Sequence, residues 1–231
     1  MGDIVKAMQA EQFYLRDKLG GKNVSLNLSQ YGYENLETYF SEKRDYQLKS
    51  CKIEIHETNM DDIESRVENA IMSKTPSIWI PTADEIFVWH GNEALDRDLC
   101  TELGVQVYDM NYIGGTIVSG ADDLSFALIV PENIDISTSY MLLKIKSIMD
   151  KYFSDVAIDG NDILIDGKKV LGSMQRRVNN MYIFACQISY VDRSEYIKRL
   201  CSKSSIKIPG FIDRNILTKR ALKDEVIACL Q

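Results

Sequence analysis

From residue 77 onward the chain is cut into short apolar runs, and their spacing limits the possible folds more than any other feature. Ile78-Trp79-Ile80, Ile86-Phe87-Val88-Trp89, Val105-Gln106-Val107-Tyr108, Leu124 to Val130 and Ile163-Leu164-Ile165 follow one another. Each run is strand-length and too short for a helix that must bury a whole face. Further strands are expected around Val170 and over 181–188. Between them the apolar spacing turns helical at about 94–103, 138–152 and 193–201. A last amphipathic helix near 216–229 carries Ile216, Leu222, Val226, Ile227 and Leu230.

Upstream, Lys52-Ile53-Glu54-Ile55-His56 alternates as a half-buried strand does, and Asp61 to Met72 reads as a helix with Ile63, Val67 and Ile71 on one face. Strands mixed irregularly with helices, many joined by hairpin-length turns, predict an α/β (α+β) fold with one mixed central β-sheet flanked by helices. Strict βαβ alternation is absent, and so is a G-x-G-x-x-G run, which sets aside a Rossmann order. Residues 3–18 read as an amphipathic helix stopped by Gly20-Gly21, whereas 22–48 are polar and tyrosine-bearing without a readable element. The expected organisation is an N-terminal extension over 1–50 and a single domain over 51–231.

Composition narrows the function. Lys plus Arg is 27 against 34 for Asp plus Glu, a net charge of −7. Such a chain lacks the broad positive field that nucleic acid and anionic membranes require, so neither is an expected partner. No apolar stretch approaches the roughly 20 residues of a membrane span, and the N-terminus has no signal-peptide core. A cytoplasmic protein is expected. The five cysteines are widely spread with no C-x-x-C pair, and His56 and His90 are the only histidines. A multi-histidine metal site is excluded, and no nucleophile-elbow sequence accompanies either histidine. Chemistry is left to Lys, Arg, carboxylates and backbone amides.

Two patches could carry it. In Asn111-Tyr112-Ile113-Gly114-Gly115-Thr116, the glycine pair lets backbone approach a ligand and point N–H groups at an anion; a hairpin turn is the plainer alternative. The second patch runs from Gly160-Asn161-Asp162 through Asp166-Gly167-Lys168-Lys169-Val170 to Gly172-Ser173 and Arg176-Arg177. Asp166-Gly167 between apolar runs is a two-residue hairpin signal. Alternation then sends Lys168 and Lys169 to opposite faces, and if Val170 packs inward, Lys169 points the other way. Elsewhere, Trp79 and Trp89 on neighbouring strand candidates read as core or pocket wall, Cys186 as core and His90 as a polar strand end. Glu85, Asp122-Asp123 and Asp192 have no visible partner in the sequence and are expected on the surface.

The 160–177 segment resembles the lysine-bearing block of the lipoate–protein ligase and biotin–protein ligase superfamily, which shows Asn-Asp, a strand, a hairpin, then Lys-[Val/Ile]-x-Gly-[Ser]. The Gly114-Gly115 region is similar to that family's acyl-binding loop, and the likeness covers roughly residues 77–192. It implies the ligase catalytic-domain fold and an enzyme that activates lipoate, octanoate or biotin with ATP to an acyl-adenylate, then passes the acyl group to a carrier-domain lysine. It further implies that Lys169 contacts the acyl carbonyl and phosphate. Gly114 and Gly115 would line the acyl chain and nucleotide, and Gly172 and Ser173 would leave room for the adenylate. Asn161 and Asp162 would lie near the nucleotide, with Asp162 on its Mg²⁺. The chain departs from the family pattern in three places. Asp109 to Ile113 carries no arginine, Ser119-Gly120 stands for a His-Asp pair, and Asn180-Met181-Tyr182 stands for His-Gly-Thr. Arg176 or Arg177 could replace the arginine, though alternation lets only one face a pocket. These departures leave open a non-catalytic ligand-binding or interaction module of the same fold. A further alternative is an ATP-independent octanoyltransferase through Cys201, since the lysine-to-cysteine spacing resembles that branch.

Overall fold

The computed structural model describes residues 44–91, 95–109, 116–134, 136–200 and 207–231. The chain divides into a unit Met1–Tyr46 and a unit Gln47–Gln231, and every element named below lies in the second. The helix expected over 3–18 falls outside the described residues. So do Gly114, Gly115 and Cys201.

In chain order the elements are β1 (Glu54–Asn59), a 3-10 turn (Met60–Asp62), α1 (Ile63–Ser73), β2 (Ser77–Thr82), β3 (Phe87–His90), α2 (Arg97–Glu102), β4 (Gln106–Asp109), β5 (Thr116–Ser119) and β6 (Leu124–Pro131). There follow α3 (Thr138–Met149), β7 (Val156–Asp159), β8 (Asp162–Ile165), β9 (Lys168–Val178), β10 (Met181–Ile188), α4 (Ser194–Leu200) and α5 (Lys219–Leu230). Asp96, Ser137 and Thr218 cap α2, α3 and α5, each side-chain oxygen accepting a first-turn backbone N–H.

A seven-stranded mixed sheet runs β1-β2-β6-β10-β9-β8-β7. Strands β7 to β10 form an antiparallel meander. Its tight turns follow from local chemistry. Asp166 and Gly167 have φ of 50 and 70, and Asn179 and Asn180 have φ of 51 and 63, the left-handed pair that a two-residue hairpin needs and that Asp, Asn and Gly tolerate. At the other edge, β1 pairs with β2 in parallel through α1. Little burial reinforces that edge strand, which explains why it sits a few residues beyond the alternating stretch.

The expectation of one sheet needs an addition. Strands β4-β3-β5 form a separate three-stranded sheet, so Trp79 and Trp89 belong to different sheets. Periodicity identifies strands but not their partners. Apolar clusters define the layers. Helices α3 and α5 cover one face of the large sheet with Met141, Leu142, Ile145, Leu222, Val226 and Leu230. The other face meets α1 and the small sheet, where Ile63, Val67, Phe87 and Trp89 pack on Ile129 and Ile183. On the outside of the small sheet, Val88 and Val118 are covered by Cys100 of α2 and Leu200 of α4.

Asp123 corrects the surface assignment. It is buried, its Oδ2 lies 2.7 Å from Arg193 Nε, and its Oδ1 accepts the Tyr190 N–H at 2.9 Å. Gly120 makes this possible, because a Cβ there would stand 2.6 Å from Arg193 Nη2. Asp122 pairs with Arg214 at 2.7 Å, and Asp192 Oδ1 accepts the Ser194 N–H at 2.9 Å. Removing one partner of a buried pair strands the other's charge. Asp123→Ala is therefore expected to cost about 3–5 kcal/mol, read as a lower urea midpoint than wild type. A loss within error of zero would contradict the buried pairing.

Candidate functional site

Strand alternation alone would put Lys169 and Gly172 on opposite faces of β9. The strand breaks its alternation once. Ile163 pairs with Leu171 but Leu164 pairs with Lys169, so Val170 is the extra residue of a β-bulge. Val170 and Leu171 consequently both enter the core beneath α3 and α5. Lys169 and Gly172 are left together on the other face, the one that meets the small sheet. A Cβ on Gly172 would stand 3.1 Å from Lys169 Cε and 3.2 Å from its Nζ. The hydrogen in its place is what gives the ammonium its berth.

That face carries a polar row. Asp162 of β8 lies opposite Gly172, Gly172 opposite Gln187 of β10, and Gln187 opposite Ser125 of β6. Ser125 Oγ is 3.3 Å from Ser119 Oγ of β5, which links the row to the small sheet. Strands are about 4.8 Å apart, so Gly172 and Ser125 stand about 10 Å apart across the face. Beside it runs an apolar row, Met174, Ala185, Ala127 and Trp79. The face thus carries a polar strip beside an apolar one.

The charges cluster at one end. Lys169 Nζ is 2.9 Å from Asp162 Oδ1, and Lys207 Nζ is 2.8 Å from Asp162 Oδ2. Lys207 also reaches Asp159, at 2.9 Å to Oδ2 and 2.6 Å to the backbone oxygen. Burial pulls the Lys207 pKa down, but its hydrogen bonds to Asp162 and Asp159 outweigh that and leave it above the ordinary lysine value. The segment holding Lys207 pairs with β9 just past the end of β10: Lys169 N–H donates to the Ile208 oxygen at 2.9 Å, and Gly210 N–H donates to the Lys169 oxygen at 2.8 Å. Sequence reading missed Lys207. Its one signal is a lysine between Ile206 and Ile208 with Pro209-Gly210 after it.

The other site candidates are placed as follows. Asn161 has an exposed side chain, and its backbone oxygen accepts from both Ser173 N–H at 2.9 Å and Ser173 Oγ at 2.7 Å. Ser173, one residue from Gly172, is turned by alternation to the opposite face and ties β9 to the β7–β8 turn. Neither is brought beside Lys169. Alternation directs Arg176 to the Lys169 face and Arg177 away from it, the latter pairing with Glu132 at 3.1 Å. For Mg²⁺ the donor set does not fit. Each Asp162 oxygen is already held by an ammonium, and among the described residues no group of three or more His, Cys, Asp or Glu is placed to hold a metal.

Both ends of the glycine segment are anchored at one level of β3, since His90 lies opposite Asp109 of β4 on one side and Thr116 of β5 on the other. Strands β4 and β5 pair with β3 and not with each other, which removes a simple hairpin between them. His90 Nδ1 is 2.9 Å from Asp109 Oδ1, and Arg97 bonds the same carboxylate oxygen. The hydrogen bonds from Arg97 and then His90 hold the Asp109 carboxyl below its ordinary range. A guanidinium from α2 thus stands at the end of β4, where the sequence itself offered no positive charge.

The seven-stranded mixed sheet flanked by helices matches the fold of solved ligase catalytic domains. The chain belongs to the lipoyl protein ligase A/B catalytic domain family, whose model matches residues 88–209. No curated protein matches it. Among solved structures it is similar to LipL1 of P. falciparum in complex with lipoate, with a TM-score of 0.61 at 16% identity over 77% of this chain and 60% of that one. The chain thus spans 60% of that P. falciparum structure. It is also similar to a bi-partite lipoate protein ligase from Thermoplasma acidophilum, studied with its E2 lipoyl domain (TM-score 0.60, 13% identity, 77% of this chain, 80% of that one). A third likeness is to a lipoate-protein ligase A bound with ATP (TM-score 0.59, 16% identity, 77% and 82%). At these identities the structural likeness is one of fold. No helix among the described residues is long and apolar enough to cross a membrane.

The two glycines that border the cluster are expected to respond differently to alanine. At Gly172 the new Cβ presses only on the flexible end of Lys169, with Asp162 Oδ1 at an ordinary 3.7 Å, so Gly172→Ala should cost less than about 0.5 kcal/mol while moving Nζ off Asp162. At Gly210 the Cβ would come 2.7 Å from Lys168 Cβ, which the backbone holds, and Gly210→Ala should cost about 1–3 kcal/mol. Thermal melts of both variants check this; equal losses would contradict it.

Proposed function

We propose that this protein is a divergent lipoate/biotin–protein ligase-like cofactor transferase. It activates a medium-chain acyl acid (lipoate, octanoate or biotin) with ATP, then transfers the acyl group to a lysine of a carrier domain. The observation that carries this reading is Lys169, fixed by the bulge and by Gly172 on the face between the sheets, at the end of a polar row and beside an apolar one. In the first step the acid's carboxylate attacks the α-phosphorus of ATP and pyrophosphate leaves. In the second the carrier amine attacks the acyl carbon, AMP leaves, and the amine gives up a proton. Both steps build negative charge on oxygens, which a fixed ammonium stabilises. The acyl tail would lie along the Met174–Trp79 row, and Gly114 and Gly115 are proposed to line the acyl chain and nucleotide. Metal accompanying ATP would arrive with the nucleotide rather than on Asp162. Such an enzyme would work in the cytoplasm, where ATP and the carrier are at hand.

One observation favours a second reading, a non-catalytic module of the same fold: the Lys169 ammonium is engaged by Asp162. Pyrophosphate release separates the two. With ATP and each acid in turn, the ligase reading expects release with at least one, and Lys169→Met is expected to lower that rate by about 10²–10³-fold. The melting temperature should hardly move, because a half-exposed ion pair is worth at most about 1 kcal/mol. Silence with every acid, despite measurable acid or ATP binding, would favour the module.

A further inference from the structure

Lys207 belongs to none of the motifs that carry the reading above, yet it is the most fully engaged charge in the cluster. Its three acceptors, Asp162 Oδ2, Asp159 Oδ2 and the Asp159 backbone oxygen, match the three N–H donors of an ammonium. Lys169 differs. Its side chain is 41% exposed and is joined, among the described residues, to a single oxygen of Asp162. One carboxylate is therefore shared between a saturated lysine and an unsaturated one.

We propose that Lys207 is a positioning residue that holds Asp162 so that Lys169 can leave it for an anionic ligand. The inference rests on reading Lys169 as the anion-facing group and adds what frees it. Asp162 is 15% exposed, and a carboxylate so placed is costly to leave without a partner. With Lys207 on Oδ2, the departure of Lys169 still leaves one ammonium and its hydrogen bond on the carboxylate. Without Lys207, two carboxylates, Asp159 and Asp162, face one lysine, and Lys169 is held where it stands. The two lysines are also joined through backbone, since the segment after Lys207 pairs with Lys169 on both its N–H and its oxygen. Lys207 therefore governs how available Lys169 is, without touching the ligand.

Availability can be read without any assumption about the reaction. Trace labelling of the intact protein with acetic anhydride, followed by mass spectrometry, gives the acetylation rate of Lys169. Lys207→Ala is expected to slow it about 5-fold, the worth of a partly exposed pair, because the unshared carboxylate keeps Lys169 engaged. Adding Asp162→Asn in that background is expected to restore the rate, and Lys207→Arg to leave it near the wild-type value. In the ligase assay the same Lys207→Ala is expected to raise the KM for the acid more than it lowers kcat. Should Lys207→Ala fail to fold, Lys207→Gln keeps the length and loses the charge, and the same slowing is expected. Unchanged labelling of Lys169 in folded Lys207→Ala or Lys207→Gln overturns the proposal, and so does slowing that Asp162→Asn does not relieve. These labelling rates in a protein that releases no pyrophosphate with any acid would sink the ligase reading and leave this one standing.

Discussion

The site depends on one extra residue in β9. Because Val170 bulges, two consecutive side chains enter the core and Lys169 and Gly172 come to share a face. An unbroken strand would give the core one of those side chains and turn either the lysine or the glycine away. The sheet neighbours hold the bulge in place. Strand β8 pairs on one side, Ser189 N–H donates to the Val170 oxygen on the other, and the 208–210 segment takes the backbone of Lys169 itself. The ammonium is thus positioned by main chain on both edges rather than by its own rotamer preference.

Much of the framework was legible because the signals were local. The apolar runs marked strands, Asp166-Gly167 marked its hairpin, and the conditional placement of Lys169 opposite Val170 agrees with the structure. What stayed hidden depends on contacts between distant residues. The separation of β3, β4 and β5 into their own sheet is a matter of partner choice, which periodicity does not encode. Asp123 and Arg193 are 70 residues apart in sequence, and nothing near either announces the other. Lys207 reaches Asp159 over 48 residues. The bulge has no sequence signature of its own. Of the named site residues, Gly172 stands beside Lys169 and Asp162 pairs with it, whereas Ser173 and Asn161 hold each other. Gly114 and Gly115 lie outside the described residues.

An acidic chain that orders cations can do so by pairing them with its own carboxylates. Here the local count is balanced, with Asp159 and Asp162 against Lys169 and Lys207, although the whole protein carries −7. Two carboxylates sharing two ammonium groups keep both lysines ordered without presenting a net positive patch to solvent. The same device recurs at the end of β4, where Arg97 and His90 meet on Asp109. Both clusters lie at strand ends, so in each case the sheet fixes the carboxylate and the carboxylate fixes the cations.

The backbone pairing of 208–210 with Lys169 has a consequence for biogenesis. During synthesis the lysine leaves the ribosome well before the segment that grips it, and before α5, which contributes Leu222, Val226 and Leu230 to the main core. Domains fold as units once their long-range contacts are available. A nascent chain stalled ahead of Gly210 would therefore hold every strand of the meander in sequence but not α5, and the backbone grip on Lys169 closes only after residues 208–210 have been made.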